Sequence, residues 1–230
     1  MGKVDQIYFD VHNWHARYLV IDTSAWGYGQ KIWAPPCCIH QIDFDSSVVK
    51  LNLEQQKMLG SPAIDTLKPI SRFQEARLVN YYGCKPYWEE ANAHDALQCS
   101  SRTTSPAEVV EPEKRDRMTL HTNAVNIKVH LLSIKQAGGY TIEAVDGPIG
   151  RIRDFVFDDE TWLIRYLTID TREWWQSKSE VLLSTESVDS IDSAASTIFT
   201  TLSREAIQQR PVYLDDVPLR RMYETQFHKA

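Results

Sequence analysis

The chain has 230 residues, room for one large domain or two of about 100 residues each. Hydrophobic residues make up 43% and charged residues 24%, an ordinary globular composition that argues against disorder of the whole chain. The net charge of −6 argues against a protein whose main task is to grip nucleic-acid backbone, and no apolar run approaches the ~18 residues needed to cross a bilayer.

In chain order, the first segment is "GKVDQIYFDVHNWHARYLVIDT" (2–23), and it returns at 150–171 as "GRIRDFVFDDETWLIRYLTIDT". The two share ten of 22 positions without a gap, from Gly2/Gly150 to Thr23/Thr171, and Trp26 then falls on Trp174. The offset next shifts by one. "IWAPPCCIHQID" (32–43) lies on "VLLSTESVDSID" (181–192), and "LEQQKMLGSP" (53–62) lies on "LSREAIQQRP" (202–211). Pro69, Arg72 and Glu75 continue the match on Pro218, Arg221 and Glu224. The chain is read as a duplicated domain.

Residues 100–117, "SSRTTSPAEVVEPEKRDR", are polar, charged and free of apolar period, as a linker is. The expected division is a first repeat at 1–90, a linker at 91–130 and a second repeat at 131–230. A lead-in, "LLSIKQAGGYTIEAVDGPIG" (131–150), precedes the second copy and holds a strand-like "GYTIEAV" and a tight "DGP" turn. The first copy has no such lead-in. Its first barrel is therefore expected to lack an N-terminal strand, which leaves an open edge. A truncated start is the favoured explanation; the others are "NAVNIKVHL" (123–131) filling the gap and a strand donated by another subunit.

Within the second copy, "GRIRDFVFD" alternates apolar and polar residues with a slip in phase that a bulge would absorb. The polar "DDET" suits a turn, and "WLIRYLTID" returns as a strand rich in β-branched and aromatic residues. "VLLS", "SVDSID" and "STIFTTL" read as further short strands. Ser203 can cap a helix over Arg204–Gln209, ended by Pro211; "LEQQKML" is its counterpart in the first copy. The predicted fold is mainly β, two tandem small barrels each with one short C-terminal helix.

The lead-in, the hairpin, and "LSREAIQQRP" resemble the PRC-barrel family, named for the H subunit of the photosynthetic reaction centre. "YYGCKPYW" (81–88) resembles a motif that closes the first barrel in a two-barrel group of that family. A barrel of this type also forms the C-terminal domain of a ribosome maturation factor. The resemblance implies an adaptor or assembly protein rather than an enzyme, with an association to a membrane or reaction-centre complex as its implied client. A ribosome- or RNA-processing factor and a small-molecule-binding barrel are the alternative readings. The chain departs from the reaction-centre subunit in having two barrels and no apolar N-terminal helix.

No catalytic residue, cofactor site or metal site is expected. His12 and His15, with Asp10, read as turn residues rather than ligands, because the second copy has Glu160 and Leu163 there. Asp22 and Asp170 end strands and cap turns. Cys37, Cys38, Cys84 and Cys99 form no CxxC pair and are read as reduced thiols, which favours a cytoplasmic setting, peripheral to the cytoplasmic membrane if the reaction-centre likeness holds. The residues expected on a partner surface are Trp26, Trp33, Trp174 and Trp175, in or beside matching loops. Partners are expected to be proteins, with homo-oligomers through the open edge and little role for nucleic acid.

Overall fold

The computed structural model describes residues 2–27, 29–43, 45–65, 68–89, 130–174 and 180–210. Trp175, Pro211 and the linker expected at 91–130, except His130, lie outside them. The chain divides into two compact units, one of residues 1–3 and 20–129 and one of residues 4–19 and 130–230. Residues 4–19 thus group with the second copy, although the repeat pattern alone assigns them to the first.

The mainly β expectation is met. Strands β1 (Lys3–Asp10), β2 (Ala16–Asp22), β3 (Lys31–Ala34) and β6 (Leu131–Ser133) form a four-stranded sheet in the order β3-β2-β1-β6. β4 (Ile39–Asp43) and β5 (Val48–Leu51) form a separate hairpin. The second copy supplies β7 (Thr141–Ala144), β8 (Gly147–Phe157), β9 (Ile164–Asp170), β10 (Glu180–Ser184), β11 (Val188–Asp192) and β12 (Thr197–Thr200). These make one six-stranded sheet, β10-β9-β8-β7-β12-β11. Among the described residues no sheet closes on itself.

The duplication is visible at atomic detail. β2 and β9 show the same alternation of buried and half-buried positions. Trp14 and Trp162 both lie in the left-handed region, at φ 60° and 61°, and Ser47 and Ser196 both at φ 54°. In each hairpin an aspartate builds the turn. The Asp10 carbonyl accepts from Trp14 N–H at 2.8 Å and its carboxylate from His12 N–H at 3.0 Å. The Asp158 carbonyl accepts from Trp162 N–H at 2.8 Å and its carboxylate from Glu160 N–H at 3.1 Å. A carboxylate that satisfies its own turn's amides competes with strand pairing, so both strands end there.

The phase slip in "GRIRDFVFD" is a real irregularity. The β8–β9 register shifts between Ile152 and Asp154 and again between Val156 and Phe157, which turns both Ile152 and Phe155 inward. Their core also holds Phe9, Trp14, Ile142, Ile149, Leu167, Val181 and Ile198. β12 pairs with β7 in parallel, whereas β8 pairs antiparallel with both β7 and β9. The short helix at Arg204–Gln208 forms as its cap predicts, with Ser203 Oγ accepting from Ala206 N–H at 3.2 Å.

β6 pairs with β1 through Tyr8, Phe9 and Asp10. It starts at Leu131, the last residue of "NAVNIKVHL", so part of the chain's own middle meets the first copy's leading strand. The contact lies at the C-terminal half of β1, whereas β7 meets the N-terminal half of β8.

In the first unit, α1 (Gln55–Leu59) matches the expected short helix and ends at Gly60. A longer helix, α2 (Arg72–Tyr82), was not anticipated. Its signals are in the sequence: Ser71 and Gln74 form a reciprocal capping box, and Gly83 ends the helix at φ 72°. The "YYGCKPYW" stretch then fastens this helix. Tyr81 Oη donates to the Lys57 carbonyl at 2.7 Å, and Tyr87 Oη donates to Glu75 at 2.9 Å. Arg72 bonds the other oxygen of the fully buried Glu75 at 2.7 Å and lies 4.3 Å over the Trp88 ring.

The reading of four reduced thiols is corrected for two of them. Cys37 and Cys84, 47 residues apart, are joined as a disulfide. α2 and its glycine cap carry Cys84 to the 3-10 turn at Pro36–Cys38, a meeting that no local spacing encodes. The cytoplasmic assignment loses the support it took from these thiols.

Candidate functional site

The tryptophans expected on a partner surface separate into different environments. Trp33 sits in β3 with no exposed surface, so it is removed from that set. The strand places it inward and the fold leaves its indole nothing to present. Trp26 is half-buried in a 3-10 turn and packs against the core of Ile21, Ile32, Ala34 and Met58. Trp174 is half-buried and lines an open cleft of about 280 Å³ with Arg151, Asp170, Arg172 and Glu173.

The strands build this cleft directly. Arg151 on β8 stands opposite Asp170 on β9, so their side chains share one face. Asp170 ends its strand and accepts from Arg172 N–H at 3.1 Å. The Arg172 guanidinium then grips the same carboxylate, with Nε 3.0 Å from Oδ1. The Arg172 hydrogen bond holds the Asp170 carboxyl below its ordinary range and pushes the guanidinium above its own. The result is an indole beside a fixed ion pair and a further cation and anion.

The corresponding residues of the first copy are Lys3, Asp22, Ser24, Ala25 and Trp26. Asp22 there accepts from Ser24 N–H at 2.8 Å, so the same aspartate turn forms without the guanidinium. The aspartate and the indole are thus common to both copies, while Arg172 and Glu173 belong to the second alone.

A second cleft, of about 380 Å³, is lined by residues that include His12, Trp14, Arg165, Tyr166, Thr185 and Glu186. The Arg165 side chain bonds Asp158 at 2.9 Å, and Thr185 Oγ1 donates to the Ile164 carbonyl at 2.9 Å. The histidine pair does not assemble with Asp10 as a ligand set. The Asp10 carboxylate faces Arg17 at 3.5 Å, His15 Nδ1 meets the Asn13 carbonyl at 2.9 Å, and the His12 ring lies 4.6 Å from that of His130. Burial lowers the His15 pKa, which disfavours its charged form.

No protein-family model matches the chain, and no curated protein matches it. Among the described residues no helix is long and apolar enough to cross a membrane.

Proposed function

We propose that the chain is a non-enzymatic adaptor of the PRC-barrel type, with two tandem barrel repeats, that docks a protein partner through the Trp174 cleft. The observation that carries this reading is the half-buried indole beside Arg151, Arg172 and Glu173. Tryptophan and arginine dominate binding energy at protein interfaces, because a large rigid ring and a planar fork lose little entropy on contact. The cleft carries charges of both signs, which suits a mixed polypeptide surface better than a polyphosphate. Its place in the cell is at the cytoplasmic face of a membrane assembly.

The test compares affinity capture by the tagged chain and by its Trp174→Ala variant, from soluble and membrane fractions of its own organism. Loss of one defined membrane complex with Trp174→Ala, at unchanged melting temperature, supports the proposal. Equal capture by both forms, or capture of ribosomal particles that salt releases, overturns it.

The 380 Å³ cleft favours a second reading, a small-molecule-binding barrel. A metabolite that raises the melting temperature of the wild type but not of Glu186→Ala would establish it.

A further inference from the structure

The sulfur atoms of Cys37, Cys38 and Cys84 all lie within 4.8 Å of one another. Two of them are the Cys37–Cys84 disulfide, and the third is the buried free thiol of Cys38. In a tetrahedral zinc site the cysteine sulfurs stand about 3.8 Å apart, since each Zn–S bond is about 2.3 Å. Reduction of the Cys37–Cys84 bond lets those two sulfurs part toward that spacing beside Cys38, with Cys37 exposed, Cys84 half-buried and Cys38 closing the inner side.

From this geometry we propose that the reduced chain binds one thiophilic d10 cation, such as Zn2+, through Cys37, Cys38 and Cys84. The disulfide is the competing metal-free state. A dithiol reductant gives two electrons and two protons to the Cys37–Cys84 bond and leaves as its own cyclic disulfide. Zn2+ then displaces three protons, one from each thiol, and forms three Zn–S bonds, with the fourth position open to solvent beside the exposed Cys37. Oxidation by a disulfide-class oxidant reverses the sequence and releases the ion.

The choice of a metal over thiol–disulfide exchange rests on Cys38. It lies in the 3-10 turn next to Cys37, buried on the inner side of the cluster, where an incoming disulfide cannot reach it in line. A small cation needs no such approach, and the thiolate charge is neutralised where the Zn–S bond forms. A small, partly apolar sulfur cluster also selects against hard, oxygen-seeking ions.

The experiment uses the full chain under anaerobic conditions, with and without prior reduction by dithiothreitol that is then removed. Zn2+ is titrated against a chromophoric chelator, and Co2+ is added separately to read thiolate-to-cobalt charge-transfer absorption. The reduced chain should take up one equivalent of Zn2+ and show the cobalt band, and the oxidised chain should do neither. Cys38→Ser should weaken Zn2+ binding by more than the ~10-fold that loss of an outer partner costs, while the Cys37–Cys84 disulfide still forms. Cys99→Ser should leave uptake unchanged. Equal uptake by oxidised and reduced chain, unchanged affinity in Cys38→Ser, or loss of uptake in Cys99→Ser overturns the proposal. Should Cys38→Ser fail to fold, the wild-type cobalt spectrum in the two redox states still decides it.

Discussion

The Ala16 N–H donates to the Trp162 carbonyl at 2.8 Å, and Ile164, which holds the place of Ala16 in the second copy, donates to the Trp14 carbonyl at 2.9 Å. His15 and Leu163 form the antiparallel bridge between these bonds. The pattern is that of a two-fold interface, in which residue i meets j and j meets i, built here inside one chain. The left-handed tryptophans are part of it. A bulky residue at positive φ is strained, and the reciprocal bonds through both tryptophan carbonyls help to hold it. Ala16→Pro deletes one of the two donors and should cost about 1–3 kcal/mol. In native-state hydrogen exchange the Ala16 and Ile164 amides should show similar, strong protection. Fast exchange at either one would contradict the pairing.

Gly150 and Gly2 are matched in the repeat but not equally tolerant. A methyl group at Gly150 would collide with the Asp170 carbonyl oxygen and lie 2.7 Å from Ile169 Cγ2. At Gly2 it would lie 2.8 Å from Ile21 Cγ2 and 3.0 Å from the Asp22 carbonyl oxygen. A backbone oxygen cannot step aside as a side chain can. Gly150→Ala should therefore cost about 3 kcal/mol in urea denaturation, and Gly2→Ala clearly less.

Stability should fall in acid partly through Asp158. Backbone donation from Thr161 N–H and the Arg165 guanidinium hold its carboxyl down at about 2, below its ordinary value of 3.8. Its contribution is complete above the unfolded value and is lost as pH falls through the folded one. The unfolding free energy should thus drop between pH 4 and pH 2, and Asp158→Asn should flatten that slope. Urea midpoints of both proteins across this range provide the check.

Arg72→Ala should be severely destabilising. It would take the guanidinium away from the fully buried Glu75 carboxylate and strip Trp88 of its cation. Removal of one partner from a buried ion pair costs about 3–5 kcal/mol. Tyr87→Phe, which removes one hydroxyl and keeps the ion pair, should cost about 1–2 kcal/mol. Thermal unfolding of the two variants should preserve that order.

Reduction of the Cys37–Cys84 bond should destabilise the first unit. The bond spans 47 residues, and the chain entropy released on opening such a loop corresponds to about 4 kcal/mol. Denaturation with and without dithiothreitol measures it, and Cys84→Ser should be insensitive to the reductant.

The sequence carried what is local. The alternation and phase slip of 150–157 located β8 and its bulge, and Ser203 located the helix at Arg204–Gln208, because strands, turns and caps are written in neighbouring residues. The signals of helix α2, its Ser71–Gln74 box and its Gly83 stop, are equally local. What stayed hidden is what depends on distant partners. Trp33 and Trp174 look alike as letters, and only the packed strand makes one core and leaves the other lining a cleft. The meeting of Cys37 with Cys84, and of β1 with β6, follows from the path of the whole chain.

That path also sets a timetable. Ser133 Oγ donates to Gln6 at 2.7 Å across 127 residues of sequence, and β1 takes β6 as a neighbour at the same place. On the ribosome β1 must therefore emerge and wait for β6 until Ser133, 127 residues beyond Gln6, has been made. Contacts of such long range are slow to form and leave nascent strands open to misassociation. Synthesis of this protein should depend on whatever shields that early strand, and slowing translation between residues 10 and 133 should lower the yield of folded chain.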